Sequence, residues 1–402
     1  MLLVDFYVFQ SIKLVTSNLP SKSKFLIYGL YWSFTILALL FFISSPYLKY
    51  ESLPSFVKNY VAPIIIGFFI AKLVATLFFL VDDLRRLLQW GGTTAIAAFD
   101  SSKNTSNNGI PRSVFISWLG LGIGSGLFGT LLYGFGNKYK YKLEKVKLHF
   151  ENLPVAFKGL KIIHISDIHS GSLQDKQAVE KGVHKIMQQK PDLILFTGDL
   201  VNNEADEMDE LASVFSGLNA PMGVFSILGN HDYGDYKQWG SAEKKATNLS
   251  NLKEVHRNMG WRLLLNEHVV LEKDNETIAL IGVENWGAKG NFSKYGDLQK
   301  AYTGSEGHSF KLLMSHDPSH WEAEVCKSFN DIDLMLSGHT HGMQFGVEVP
   351  GFRWSPVQYM YKQWAGLYKN NHQKLYVNRG FGFLGYPGRV GILPEITLIE
   401  LA

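Results

Sequence analysis

The chain of 402 residues has one cysteine, Cys326. It can form neither an intramolecular disulfide nor a thiolate metal cluster, and it reads as a small apolar residue in a helix. Missing disulfides do not assign a compartment, since many exported proteins have none. There is also no long basic run with interleaved aromatics, and the net charge is only +3. A nucleic-acid groove is therefore not expected. Charge is scarce in the first 135 residues and frequent afterwards. The apolar fraction of 46% and the charged fraction of 19% thus average two unlike parts, a membrane domain over 1–137 and a folded domain over 138–402. Internal repeats and long low-complexity tracts are lacking.

Three apolar stretches occupy the first part: Phe25 to Ile43, Tyr60 to Val81 and Val114 to Phe135. Each approaches the ~20 residues that cross a hydrocarbon core of ~30 Å. Tyr31, Trp32, Tyr47, Tyr60 and Tyr133 lie near their ends, where amphipathic rings favour the interface. Three transmembrane helices follow, in an integral, multi-pass protein whose first partner is the lipid bilayer. Met1 to Val15 is apolar but broken by Asp5, Gln10 and Lys13, which fits a fourth short span or an interfacial helix. Gly120 and Gly124, like Gly122 and Gly126, are spaced to let helix backbones approach in lipid. Lys72 is costly at mid-membrane and reads as snorkelling or paired within the bundle; an ion or substrate contact is the alternative. The polar segment 100–108 reads as a solvated loop. Arg85, Arg86, Lys103 and Arg112 flank the connection to the third run, which puts that loop in the cytoplasm and the carboxy-terminal domain outside. Lys138, Lys140, Lys142, Lys145 and Lys147 pull the other way, but they alternate with Tyr139, Tyr141, Leu143 and Val146 as a strand of the folded domain does.

Beyond residue 140 short apolar runs alternate with amphipathic ones. Lys161 to Ser166, Asp192 to Phe196 and Gly223 to Leu228 are predicted strands, with helices over Lys176 to Gln189 and Glu204 to Leu218 between them. That order marks an α/β unit with a largely parallel sheet. Lys244 to Met259 is a further helix. Arg262 to Leu265, Val269 to Glu272, Thr277 to Val283, Lys311 to Met314, Asp333 to Leu336, Phe345 to Val349, Lys374 to Val377 and Ile396 to Glu400 are further strands. Lys273-Asp274-Asn275-Glu276 is the turn of a hairpin. So many strands call for two packed sheets with helices outside.

Ligands of such sheets gather at the carboxyl ends of strands. Five of these ends carry Asp167 and His169, then Asp199, then Asn230 and His231, then His316, then His339 and His341. The set is oxygen and imidazole nitrogen without thiolate, which suits Mn²⁺, Fe or Zn²⁺. It exceeds what one catalytic metal needs and suits two, with Asp199 placed to bridge them. A lone Asp or His at a strand end is more often a turn residue; five correlated ends are not explained so. His164 reads as a core histidine with a backbone partner. His149, His184, His256, His268, His308 and His372 read as solvent-facing. Trp286 reads first as a packing residue, His320-Trp321 as a minority candidate for substrate contact, and Arg379 and Arg389 equally as phosphate contacts or surface ion pairs.

Asp167-x-His169, Gly198-Asp199, Gly229-Asn230-His231-Asp232, His316 and Gly338-His339-x-His341 together resemble, in order, the five blocks of the calcineurin-like metallophosphoesterases. The resemblance covers roughly 155–400. It implies a double β-sandwich flanked by helices and two divalent metals. Asp167, His169, Asp199 and His341 would hold the first, and Asp199, Asn230, His316 and His339 the second. It implies attack by a metal-bridging hydroxide, with His231 as general acid and Asp232 orienting His231 or supporting its turn. The Asp-Arg-Gly of the family's protein phosphatases is missing: Leu200-Val201-Asn202-Asn203 follows Asp199. Gly342-Met343-Gln344 stands where the membrane-associated bacterial branch often has Gly-Gly-Gln. The likeness to that branch implies a phosphoester or pyrophosphate substrate, of a lipid or lipid-linked nucleotide sugar. The alternative is a non-catalytic membrane scaffold or sensor that binds a phosphorylated lipid through its metal site.

Overall fold

The computed structural model describes residues 1–44, 47, 54, 56–99 and 111–402. The expected loop at 100–108 lies outside them. The chain divides into two compact units, Met1–Tyr133 and Gly134–Ala402.

The first unit is helical: α1 (Leu2–Val15), α2 (Ser21–Ser44), α3 (Ala62–Phe99) and α4 (Val114–Gly134). Among the described residues, three stretches are long and apolar enough to cross a membrane, Ser21–Ser44, Ala62–Thr94 and Val114–Asn137. With 14 residues α1 reaches only about 21 Å. It is held to the bundle by Asp5, which pairs with Lys72 and accepts from Thr35 Oγ1 at 3.2 Å, while Tyr31 donates to its carbonyl. Lys72 is therefore the paired lysine expected from its cost in lipid. It stands ten residues, about 15 Å, from both Ala62 and Asp82. Of the small-residue pairs in α4, only Gly120 and Gly124 are used. A Cβ on Gly124 would stand 2.8 Å from Ala71 O of α3, while Gly122 and Gly126 face open space.

The second unit contains fourteen strands: β1 (Lys142–Leu148), β2 (Lys161–Ile165), β3 (Leu193–Phe196), β4 (Val224–Ser226), β5 (Arg262–Leu263), β6 (Glu267–Lys273), β7 (Glu276–Gly282), β8 (Lys311–Met314), β9 (Leu334–Ser337), β10 (Val347–Val349), β11 (Phe352–Trp354), β12 (Gly366–Asn370), β13 (Gln373–Val377) and β14 (Glu395–Leu401). One six-stranded sheet runs β1-β14-β2-β3-β4-β5, and the other β12-β13-β9-β8-β7-β6. β2, β3 and β4 are parallel, as are β7, β8 and β9. β10 and β11 form a separate ribbon.

Period-two alternation builds the layers. Leu193 and Leu195 of β3 join the core between the sheets, with Ile162, Leu280, Leu312 and Leu334. Ile194 and Phe196 face the other way, against Val179, Val183 and Ile186 of α5 (Lys176–Met187). Trp321 and Val325 cover the outer face of the second sheet. This is the double sandwich with helices outside. The expected helix over Glu204 to Leu218 is broken into a 3₁₀ turn, Ala205–Met208, and one helical turn, α6 (Ala212–Phe215). β11 and β12 lay outside the expected strands.

Candidate metal centre

The five strand ends meet at one place. After β2, the Asp167 N–H donates to Gly198 O (2.9 Å) and the His169 N–H to Asp199 O (3.1 Å), so the first two loops are laced together. Asp167, His169, Asp199, His339 and His341 all lie in the left-handed region, with φ between 49° and 71°. Each such non-glycine residue costs on the order of 1 kcal/mol and persists only where its surroundings over-determine it. Two glycines permit the crowding. A Cβ on Gly229 would lie 2.3 Å from Asp199 Oδ1, and one on Gly338 would lie 2.1 Å from Asp167 Oδ2.

Two groups of potential ligands result, each with its atoms within 4.8 Å of one another: Asp167, His169 and His341, and Asp199, His316 and His339. In the first, His341 Nε2 is 3.3 Å from Asp167 Oδ1 and 3.1 Å from His169 Nε2. In the second, His316 Nε2 is 3.1 Å from Asp199 Oδ2. Asn230 Oδ1 joins it, 2.9 Å from His339 Nδ1 and 3.1 Å from His316 Nε2. Asp199 Oδ2 is also 3.6 Å from His169 Nε2, so one carboxylate reaches both groups.

The donor set fits two divalent cations. Asp167 and Asp199 are buried, and their close partners are imidazoles and backbone N–H groups. Burial works to protonate each carboxyl, but the surrounding histidines outweigh it and hold both well below the usual carboxylate range. Burial likewise works against a charged His316, yet Asp199 and Asp167 raise it to about 10. A field strong enough to hold a proton there would also hold a cation. In His169 and His339 burial wins and pushes the imidazoles down, toward the neutral form that ligates metals.

His231 is half-buried. Its backbone N–H donates to Asp199 Oδ1 (2.8 Å) and its Nδ1 lies 2.8 Å from Asn202 O. A carbonyl can only accept, so Nδ1 carries the proton in that contact and Nε2 is left for other chemistry. Asp232 does not touch this ring. Its carboxylate accepts from the N–H groups of Asp199, Leu200, Val201 and Gly229, so it supports the turn. Burial and the nearby Asp199 charge push its carboxyl up to about 7 against these donors.

Several residues escaped the sequence reading. Tyr361 Oη is 2.9 Å from His339 Nε2, and Tyr236 Oη is 2.9 Å from Asn230 Nδ2. Glu207 accepts from the N–H groups of Asn202, Asn203 and Glu204, fixing the carbonyl that orients His231. The Glu204-x-x-Glu207 spacing of a capping box was the available signal. Four expectations need correction. Arg379 and Arg389 are buried and do not reach solvent. Arg379 pairs with Glu395 and Glu348, and Arg389 donates to the carbonyls of His341, Arg379, Gly380 and Gly382. His320 is buried between Ser315 and Glu324 and stacks on Trp286, while Trp321 lies in the core, so neither meets a substrate. His164 bonds the Thr197 side chain rather than the backbone. His256 is buried against Ser226, not solvent-facing.

Residues 160–343 match the family profile described as calcineurin-like phosphoesterase, and 1–137 match one described as probable calcineurin-like phosphoesterase, transmembrane domain. A transmembrane protein with metallophosphoesterase domain from Danio rerio is 28% identical over 65% of this chain, which spans 57% of that protein's length. The uncharacterized metallophosphoesterase YkuE of Bacillus subtilis is 31% identical over 62% of this chain and 81% of its own. Among solved structures, TT1561 of Thermus thermophilus aligns at 16% identity over 58% of this chain and 90% of that one, with a TM-score of 0.34. From the profile matches and the Bacillus relative, the chain belongs to the calcineurin-like metallophosphoesterases.

Proposed function

We propose that the chain is a membrane-anchored, dinuclear metal-dependent phosphoesterase. The observation that carries this reading is Asp199 Oδ2, which stands within 3.1 Å of His316 and 3.6 Å of His169, one residue from each ligand group. Asp167, His169, Asp199 and His341 would hold one divalent cation, and Asp199, Asn230, His316 and His339 the other. The cations, Mn²⁺, Fe or Zn²⁺, would supply the charge that activates water and neutralises the phosphoryl oxygens.

The chain's own residues do the rest. Asp199 also fixes His231 through its backbone N–H, and Asn202 O fixes the tautomer. His231 Nε2, when protonated, donates to the leaving oxygen. Asp232 holds the two loops in register without entering the reaction. The substrate class that the likeness to the membrane-associated bacterial branch implies is a phosphoester or pyrophosphate of a lipid or lipid-linked nucleotide sugar; the membrane helices and the missing Asp-Arg-Gly of protein phosphatases agree with it.

The test is turnover of bis-p-nitrophenyl phosphate by the full chain with Mn²⁺. Asp199→Ala should abolish it and lose bound metal. His231→Ala should keep both metals and lose about 10²-fold or more on a diester with an alkoxide leaving group. Its loss should be smaller on the nitrophenyl ester, whose leaving oxygen needs no proton. Unchanged turnover in both variants sinks the assignment. Two metals bound with no hydrolysis across a phosphoester panel would favour a binding-only scaffold.

A further inference from the structure

Ten large apolar side chains of residues 134–402 stand exposed, and six fall between Met343 and Met360. They centre on the β10–β11 ribbon. Val347 pairs with Trp354 and Val349 with Phe352, so these four share one face. Val347, Val349 and Phe352 on it are 45%, 53% and 56% exposed. Tyr359 (80% exposed) and Met360 (59%) extend the patch, with Tyr359 Oη 3.5 Å from Trp354 Nε1. The charged pair, Glu348 opposite Arg353, lies on the other face and is turned inward. Glu348 binds Arg379, and Arg353 stacks over Trp364 and Tyr368. The usual apolar-in, polar-out order of a half-covered ribbon is inverted. Met343 adds a second anomaly. Its φ of 54° suits glycine, yet it carries a long apolar side chain left 56% exposed.

The same unit says what covers this face. Arg389 N–H donates to Gly134 O, and Asn137 Nδ2 donates to Arg389 O, both at 3.0 Å. Val390 N–H donates to Gln344 O (2.8 Å), and Gly346 N–H to Val390 O (2.9 Å). β10 begins at the next residue. Gly134 and Asn137 close the last membrane span, Val114–Asn137. The ribbon therefore starts two strand spacings, about 10 Å, from the point where the chain leaves the bilayer. Trp354 and Tyr359 are the residue types that settle at headgroup depth. The patch also borders the metal centre: Tyr361, next to Met360, touches His339, and Met343 follows His341 by two residues.

We propose that the apolar face of the β10–β11 ribbon, with Met343, Tyr359 and Met360, seats in the surface of the chain's own membrane. The adjoining centre then takes its phosphoester from the lipid headgroup layer. This second part rests on the phosphoesterase reading, whereas the docking does not.

The experiment uses the full chain in nanodiscs, in a Cys326→Ala background. An environment-sensitive fluorophore is placed on Val349→Cys and, as control, on Asp274→Cys in the exposed β6–β7 turn. The label at 349 should emit to the blue of the control and be quenched by doxyl lipids. Water-like emission at 349 overturns the docking, as does a blue-shifted label that doxyl lipids do not quench, which would assign the face to another protein surface. In parallel, the double variant Val349→Asp, Phe352→Asp should lose at least tenfold on a diacylglycerol p-nitrophenyl phosphodiester in the disc. It should keep soluble bis-p-nitrophenyl phosphate turnover within twofold. Equal retention of both overturns the lipid source. Failure of the unsubstituted chain on both substrates would instead remove the phosphoesterase reading and leave the label result standing.

Discussion

His231 and His256 show how differently two histidines of one chain are used. His231 was legible because Asn230 precedes it at a strand end and four other ends carry ligand-type residues. His256 lies on α7 (Ala242–Asn258) among polar neighbours, and only packing against Ser226 and near Trp261 buries it. Burial pushes its imidazole down to about 3. The folded state thus holds it neutral where an unfolded chain, with the ordinary value near 6.5, takes up a proton. Stability is full above about pH 6.5 and drains as the pH falls toward the folded value. The linkage amounts to a few kcal/mol at pH 4. Thermal midpoints of the full chain between pH 7 and 4 should fall more steeply for the natural sequence than for His256→Leu. Parallel slopes would show that His256 contributes no such linkage. At the centre itself, residue types and order could be read from the strand ends, but the left-handed backbone at five of the ligand-type positions could not. That conformation is imposed by loops bonded to each other across distant parts of the chain.

Elements were legible where one periodicity ran uninterrupted. β2, β3 and α5 stand where short apolar runs and helical spacing placed them. Glu204 to Leu218 is not one helix: the Glu204–Glu207 capping box opens a 3₁₀ turn that stops at Met208, and a single helical turn follows from Ala212. β11 has three residues and inverts the pattern by which a strand is recognised, while β12 carries only two apolar side chains, Leu367 and Tyr368, between a glycine and polar residues. In the membrane unit, α1 is short of a full span and is retained by Asp5 on Lys72. Removing one partner of a buried pair leaves an uncompensated charge, at a cost of roughly 3–5 kcal/mol, whereas replacing both is near neutral. Lys72→Met should therefore lower the thermal midpoint of the detergent-solubilised chain, and Lys72→Met with Asp5→Leu should recover most of the loss. If the double variant is as unstable as the single one, the pair is not what holds α1.

For the whole molecule, Arg85 and Arg86 lie within α3 just beyond the apolar run that ends at Val81, with Arg112 just before α4. All three pair with Asp82 or Asp83. Topology follows the count of Lys and Arg near span ends, not their net charge, so these three still favour a cytoplasmic connection. One further crossing by α4 would put residues 134–402 outside. Alkaline phosphatase fused after Ala402 should be active and a fluorescent protein there dark; the reverse pair of results would place the second unit in the cytoplasm.

The sequence alone determined that there are membrane helices, two sheets and a histidine–carboxylate set at strand ends. Those properties reside in hydropathy, periodicity and residue type, which are local. Only the tertiary structure decided the left-handed backbone at five ligand-type positions, that Arg379 and Arg389 are buried supports, and that the apolar face of a ribbon stands exposed. Each depends on which strand ends and loops become neighbours, and that is settled by burying the two sheets against one another.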